Sequence, residues 1–146
     1  GGLKRASLKP SPQEAIEDLG SDLEGAEDDP EVFREVVNCL QRYAAGDMAA
    51  LDEIQLDLSG ITPFFSAAWS ACRSIPPGET RSYAWLAAEA GSPLAMRAAG
   101  QSMARNRFSL IIPCHRVIAS DGGLGGYGGG GIGVKARLLQ MELDQQ

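Results

Sequence analysis

The chain has 146 residues, of which 44% are hydrophobic and 22% charged, a composition typical of a soluble globular protein. No apolar run approaches the roughly 20 residues that a membrane-spanning helix needs, and the N-terminus lacks the apolar stretch of a secretory signal. We therefore expect a cytoplasmic protein, or a nuclear one in a eukaryote. The three cysteines are widely spaced and there is one histidine, so neither a disulfide framework nor a bound metal is expected.

The formal net charge of -6 is unevenly distributed along the chain. Residues 1–60 contain five Lys or Arg and fourteen Asp or Glu, giving -9, whereas residues 61–146 contain eight and five, giving +3. Six arginines lie between residues 73 and 116: Arg73, Arg81, Arg97, Arg105, Arg107 and Arg116. Since DNA binding needs local rather than total positive charge, this half could bind DNA, although solvated surface arginines would give the same pattern.

Two strands and two helices are predicted before residue 60: strands at 3–8 and 54–58, and helices at 11–19 and 31–45. Ser11 is the expected N-cap of the first helix, with Pro12 in its first turn. The acidic stretch between the helices, residues 20–30, reads as a loop. Cys39 lies inside the second helix and is assigned to packing.

Helices are predicted after residue 60 at 63–75, 83–90, 93–104 and 134–143, and a short buried strand at 109–112. The helices at 83–90 and 93–104, capped by Ser82 and Ser92, are joined by a tight turn, the pattern of a helix-turn-helix. The second of them is rich in small residues, which favours either tight packing against another helix or close approach to a DNA groove. Cys72 lies on an apolar stripe and is assigned to packing.

The chemistry of the sequence concentrates at Pro113-Cys114-His115-Arg116-Val117. A thiol is a nucleophile only as the thiolate, and a free cysteine has a pKa near about 8.5, so a base is needed. His115 is the only histidine, but adjacent residues on an extended strand point to opposite faces, so a bend or a bridging water is required. A carboxylate should orient this histidine, and spacing alone does not choose among Glu79, Glu89, Asp121, Glu142 and Asp144.

This pentapeptide resembles the active-site signature of the O6-alkylguanine-DNA alkyltransferases, also called methylated-DNA–protein-cysteine methyltransferases. The resemblance covers roughly residues 60–143 and includes further pieces in the same order: Thr62-Pro63-Phe64, Ile75-Pro76-Pro77-Gly78-Glu79, Ser82-Tyr83, Arg97-Ala98 with Gly100, Asn106, Gly126-Tyr127-Gly128, and Leu138-Leu139 ahead of Glu142. It implies repair of O6-alkylguanine in double-stranded DNA by irreversible, stoichiometric transfer of the alkyl group to a cysteine after base flipping. It implies no cofactor and no metal.

The resemblance also implies a role for individual residues in the chemistry. Cys114 would accept the alkyl group, His115 would take its proton through a water, and Glu142 would orient His115. Tyr83 would help rotate the nucleotide out of the duplex and would hydrogen-bond the guanine ring. Asn106 would brace the turn that leads to the active-site strand.

Two further sets of residues follow from the resemblance. The DNA-binding set, expected to act in the minor groove, is Arg97, Ala98, Gly100, Gln101, Ser102 and Arg105, with Arg97 filling the gap left by the extruded base. The set lining the alkyl and guanine pocket is Pro113, Val117, Tyr127 and Gly128. The sequence departs from the family at Arg107, where proline is common, and at Gly128, where Ser or Ala often occurs.

The implied fold is α+β, with a winged-helix-like domain containing the helix-turn-helix at residues 60–146. Residues 1–59 would be a shortened N-terminal α/β segment, part of a ribonuclease-H-like domain. We expect a monomer that does not contact membranes. The alternatives are a non-catalytic lesion binder that recruits other repair factors, a regulator that uses an alkylated cysteine as a signal, and an unrelated Cys-His hydrolase. Cys114 argues against the first, since such relatives lack the acceptor cysteine.

Overall fold

The computed structural model describes residues 2–9, 11–27, 29–127 and 130–145. Within these ranges six α-helices form: α1 (Pro12–Leu19), α2 (Arg34–Ala44), α3 (Pro63–Arg73), α4 (Tyr83–Glu89), α5 (Met96–Ala104) and α6 (Ile132–Asp144). Two short strands, β1 (Arg81–Ser82) and β2 (Val117–Ile118), pair in parallel, with Arg81 opposite Val117. The predicted mixture of helices and sheet is confirmed at this level. None of the helices in the described ranges is long and apolar enough to cross a membrane.

Side chains cap three of these helices where serine or threonine precedes the first turn. Ser11 Oγ accepts a hydrogen bond from the backbone of Glu14, and Ser82 Oγ accepts one from the backbone of Trp85, as predicted. Thr62 does the same for α3. The predicted cap at Ser92 is wrong, because α5 begins only at Met96 and has no side-chain cap. A backbone bond from Ala95 N to Ser92 O closes a separate turn there instead.

The three predicted strands outside the described sheet are wrong as strands. Residues 3–8 and 54–58 make only an isolated bridge, Leu3 with Leu56, and Ala6 bridges to Phe108. The segment 109–112 is bent, because Leu110 has a positive φ of 77° and the backbone of Ile112 bonds back to Phe108 O. The apolar residues of these segments therefore pack against the core, and they do not mark strands that pair in a sheet.

The core lies where α3 packs against α4 and α5. Its fully buried side chains include Trp69, Cys72, Leu86, Phe108 and Val117. Cys39 on α2 is 5% exposed and Cys72 on α3 is fully buried, which confirms their assignment to packing. This core supports the segment that leads into Cys114.

Trp69 ties α3 to α5 and to the segment that follows. Its indole N–H donates to the carbonyl of Ser102 over 2.9 Å, and its ring meets Phe108 edge-on at a centroid distance of 5.9 Å. Trp85, in contrast, is only partly buried.

We expect Trp69→Phe to lower the free energy of unfolding by about 1–3 kcal/mol, because the buried Ser102 carbonyl loses its donor and the smaller ring leaves space. Urea denaturation of the wild type and the variant measures this loss. Trp85→Phe is the matched control and should cost less than about 1 kcal/mol. Equal losses in the two variants would contradict the role assigned to Trp69.

Candidate active site

Cys114 begins a 3-10 turn, Cys114–Arg116, that lies directly before β2. The turn supplies the bend expected from the sequence, in place of an extended strand on which neighbouring side chains would point to opposite faces. Cys114 is 8% exposed, and burial raises the pKa of its thiol. The hydrogen bond from Asn106 and the charge of Lys135 act in the opposite direction.

Asn106 holds the approach to this turn through both ends of its side-chain amide. Its Nδ2 donates to the carbonyl of Ile112 over 2.9 Å and to Sγ of Cys114 over 3.3 Å. Its Oδ1 accepts from the backbone of Phe108 over 2.8 Å. Asn106 therefore contacts both the segment that precedes the turn and the sulfur itself.

His115 and Glu142 form a buried pair, with 2.7 Å between Nε2 and Oε1. Burial lowers the pKa of His115, against the opposing effect of Glu142, so the neutral imidazole is favoured. With Glu142 ionised, Nε2 carries the proton and donates a hydrogen bond to the carboxylate. The other nitrogen, Nδ1, is buried and has no hydrogen-bond partner in the described part of the chain. The imidazole thus offers one open acceptor.

Arg116 neutralises Glu142 with a two-pronged ion pair. Its Nη2 donates to Oε1 over 2.7 Å and its Nε donates to Oε2 over 3.0 Å, while Nη1 donates to the carbonyl of Ile75. Burial alone would raise the pKa of Glu142, but the hydrogen bonds from His115 and Arg116 outweigh it and hold this pKa well below its usual range. Arg116 is 6% exposed, so it does not belong to a DNA-facing surface as its place among the six arginines suggested.

Lys135 on α6 is fully buried, and its side chain organises the chain around the site. Its ammonium donates to the carbonyl of Val117 over 2.7 Å and to that of Leu124, and it approaches the carbonyl of Gly126 at 3.5 Å. Burial lowers the pKa of Lys135. The side chain thereby fixes the glycine-rich loop beside β2.

A cavity of about 310 Å³ opens beside Cys114. Its walls are Tyr83, Gly100, Met103, Ala104, Cys114, Gly126 and Tyr127. The Tyr127 hydroxyl is buried and has no partner among the described residues, and its ring stands edge-on to His115. Of the predicted pocket residues, Tyr127 therefore lines the cavity, Pro113 and Val117 are buried outside its lining, and Gly128 lies outside the described residues.

The predicted DNA-binding residues on α5 divide between its two faces. Arg97 and Gln101 are exposed, as is Arg105 just after the helix, and Ala98 and Gly100 are partly exposed. Ser102 is fully buried, and its hydroxyl donates to the carbonyl of Ala99, so its inclusion in this set is corrected. The small residues of α5 thus serve both packing and an open surface.

A second, basic cavity of about 340 Å³ is also lined by Cys114. Its charged lining residues are Arg5, Lys9, Asp18, Arg105 and Arg107. Arg5 is paired with Asp22 and Lys9 with Asp18, whereas Arg105 and Arg107 are exposed. Arg73, another arginine of the sequence cluster, instead donates to the carbonyls of Leu51 and Ile54.

Two features of the described chain concern possible sites away from Cys114. Two larger cavities, of about 710 and 700 Å³, lie along α2 and contain none of the residues around Cys114. Within the described ranges, no group of three or more His, Cys, Asp or Glu could hold a metal ion.

Sequence reasoning missed three residues of this network: Tyr43, Arg116 and Lys135. The spacing of Lys135 and Glu142, seven residues apart, was a usable signal, since it puts both on one face of a helix. Arg116 stood inside the recognised pentapeptide but was counted with the surface arginines. Tyr43 carried no local signal, because its partner Glu142 is 99 residues away in the chain.

Comparisons with known proteins give one consistent result. The family model described as 6-O-methylguanine DNA methyltransferase, DNA binding domain, matches residues 63–143. Methylated-DNA–protein-cysteine methyltransferase of Mycobacterium tuberculosis is 46% identical over 114 residues, which is 78% of this chain and 67% of the relative. The constitutive protein of that name in Bacillus subtilis is 46% identical over 103 residues, 70% of this chain and 61% of the relative.

Solved structures agree with the sequence matches. The crystal structure of Mycobacterium tuberculosis OGT in complex with DNA has a TM-score of 0.70 and 42% identity, covering 77% of this chain and 68% of that one. O6-methylguanine-DNA methyltransferase from Pyrococcus kodakaraensis has a TM-score of 0.64 and 27% identity, covering 89% of this chain and 78% of that one.

The variant Glu142→Gln removes the counter-charge of the buried Arg116. We expect it to lower the free energy of unfolding at neutral pH by about 3–5 kcal/mol. Because the pKa of Glu142 is lower in the folded than in the unfolded protein, its contribution is complete above the unfolded value of about 4.3 and is lost as the pH falls toward the folded value. The difference between wild type and variant should therefore narrow on acidification.

Urea denaturation across this pH range measures the difference. Glu53→Gln, which removes an exposed carboxylate paired with Arg42, is the control and should have little effect. A difference between wild type and E142Q that stayed constant with pH would show that the carboxylate is not ionised in the folded protein.

Proposed function

Because this chain belongs to the O6-methylguanine-DNA methyltransferase family, we propose that it repairs DNA by moving an alkyl group, typically methyl, from guanine O6 to Cys114. The transfer is irreversible, and one protein molecule is consumed for each lesion. The observation that supports this most is the position of Cys114, which lines a cavity of about 310 Å³ and directly precedes the buried His115–Glu142 pair. We further propose that the protein acts in the cytoplasm, or in the nucleus of a eukaryote.

The reaction needs the damaged base outside the duplex. A thiol cannot reach O6 within stacked bases, and extrusion costs a few kcal/mol. The extruded guanine would enter the cavity between Tyr83 and Tyr127. A side chain that occupies the gap in the duplex offsets part of the cost, and Arg97, exposed on α5, is the proposed residue.

The transfer itself proceeds with balanced proton and electron movements. The thiol proton of Cys114 passes through a bridging water to Nδ1 of His115, the open acceptor of the pair. The sulfur then bonds the alkyl carbon as the bond from that carbon to O6 breaks, and the electron pair passes into the guanine ring. A hydrogen bond from Tyr83 stabilises the leaving base. Burial raises the pKa of Tyr83, so its hydroxyl stays protonated and able to donate.

The product explains why the protein does not turn over. The methyl group is held in a thioether, and a thioether has no bond that water in the site could hydrolyse. A Cys-His hydrolase would instead form an ester-like intermediate and release it.

The surface beside the cavity is the proposed DNA-binding face. We propose that α4 and α5 form the helix-turn-helix of a winged-helix-like domain at residues 60–146, with α5 entering the minor groove. A Cβ added to Gly100 would meet nothing within 4 Å, so internal packing does not require glycine there. Its small size instead leaves room for DNA, while the buried Ala99 serves packing. Residues 1–59 are proposed to be part of a ribonuclease-H-like domain.

Intact-protein mass spectrometry after incubation with a duplex containing O6-methylguanine tests the transfer. We expect each molecule to gain one methyl group in place of a proton, and peptide mapping to locate it on Cys114. The buried Cys39 and Cys72 should stay unmodified.

Cys114→Ala is the control and should show no gain. Lesion-selective binding without any gain in the wild type would favour a non-catalytic lesion binder. Catalytic release of methanol would favour a hydrolase.

Salt dependence of DNA binding tests the basic cavity. If Arg107 contacts a phosphate, Arg107→Ala should reduce the slope of log affinity against log salt concentration by about 1, with little change in preference for the lesion. Fluorescence anisotropy with duplexes over a range of salt concentrations measures the slope. Arg34→Ala, which removes an exposed arginine on α2, is the matched control. Equal slopes for Arg107→Ala and wild type would exclude a phosphate contact.

A further inference from the structure

Tyr43 connects the N-terminal part of the chain to the site around Cys114. It lies in the last turn of α2 and is 2% exposed. Its hydroxyl donates to Oε1 of Glu142 over 2.7 Å. Residue 43 lies outside residues 63–143, the part matched by the family model.

Three donors converge on this single carboxylate oxygen. Nε2 of His115, Nη2 of Arg116 and the hydroxyl of Tyr43 each lie 2.7 Å from Oε1. Every hydrogen bond to a carboxylate stabilises its negative charge. Each such bond therefore weakens the hydrogen bonds that the same oxygen accepts from other donors. The bond from Tyr43 therefore weakens the interaction of Glu142 with His115.

We propose that Tyr43 is a positioning residue for alkyl transfer, whose hydroxyl limits how strongly Glu142 can support positive charge on His115. This inference rests on the proposed function, in which His115 accepts the proton of Cys114. In this proposal the control of His115 comes from α2, although no side chain of α2 hydrogen-bonds His115 among the described residues. The residue acts through Glu142 alone.

The charges around His115 make this control effective. Burial is the main effect that lowers its pKa, and Arg116 in the same turn and Lys135 on α6 lower it further. Glu142 acts in the opposite direction, through its hydrogen bond and its charge. Other titratable groups that face this network include Cys114, Tyr127 and Cys72. A change in the acceptor strength of Glu142 should therefore be felt directly at His115.

Tyr43→Phe removes only the hydroxyl and provides the test. We expect the hydrogen bond from His115 to Glu142 to strengthen, so the Nε2 proton resonance moves downfield at neutral pH. His115 is the only histidine, so its side-chain resonances can be assigned without ambiguity. The pKa of His115 should rise, and the acid limb of the single-turnover rate should move to higher pH by about 0.5–1 unit, since protonation from solvent removes the base.

Two further variants make the test decisive. Cys39→Ala changes a buried residue of the same helix, four residues away, and should leave the imidazole resonance in place. Tyr43→3-fluorotyrosine keeps the hydroxyl and the fold but makes it a stronger donor, so the resonance and the acid limb should move in the opposite directions.

An imidazole resonance that coincides in wild type, Tyr43→Phe and Tyr43→3-fluorotyrosine would overturn the proposal. An equal shift in Cys39→Ala would also overturn it, because displacement of α2 would then be the cause. The imidazole resonance can be measured without DNA, so this inference can fail while the proposed function holds. The proposed function itself would fail if the wild-type protein gained no methyl group from the damaged duplex.

Discussion

The site depends on the hydrogen bonds and the ion pair made by the buried carboxylate of Glu142. A carboxylate removed from water is costly unless its charge is matched and its oxygens are hydrogen-bonded. Arg116 supplies the opposite charge through two nitrogens, and His115 and Tyr43 supply further donors. Because these groups come from α2, from the turn at Cys114 and from α6, the carboxylate joins three parts of the chain at one point. Any one of them that moved away would leave a polar group buried without its partner.

The turn at Cys114 solves a geometrical problem posed by the sequence. In the proposed reaction the adjacent residues Cys114 and His115 both take part, and a strand would direct their side chains to opposite faces. The chain bends first at Leu110, which has a positive φ, and then tightens into the 3-10 turn. Asn106 bonds both the carbonyl of Ile112 and the sulfur of Cys114, so the bend and the nucleophile are fixed by one side chain.

What the sequence could predict follows from how local each signal is. The starts of α1 and α4 could be predicted because Ser11 and Ser82 act on backbone groups three residues away. The strands predicted at 3–8, 54–58 and 109–112 are wrong, because alternating or apolar residues are also found where a segment packs against the core without forming a ladder. The choice of Glu142 among five carboxylates came from a family resemblance, and the structure places it 2.7 Å from His115. Tyr43 could not be found, because a buried tyrosine is ordinarily a core residue and only its distant partner reveals its hydrogen bond.

In a protein that reacts only once, low reactivity of the cysteine before substrate binding prevents wasteful inactivation. Burial raises the pKa of Cys114, so the resting sulfur is a thiol and is poorly reactive toward oxidants and stray electrophiles. Burial also lowers the pKa of His115, so the imidazole is neutral and its Nδ1 can accept a proton. The two effects are complementary: neither group is charged at rest, and charge separates only when the proton moves. Lys135 and Asn106 favour the thiolate, and Glu142 favours the imidazolium. The surroundings therefore stabilise the ion pair of the proposed transfer without forming it in advance. Burial thus keeps Cys114 and His115 uncharged in the free protein. In the proposed reaction it also strengthens these electrostatic interactions once the extruded base fills the cavity and excludes water.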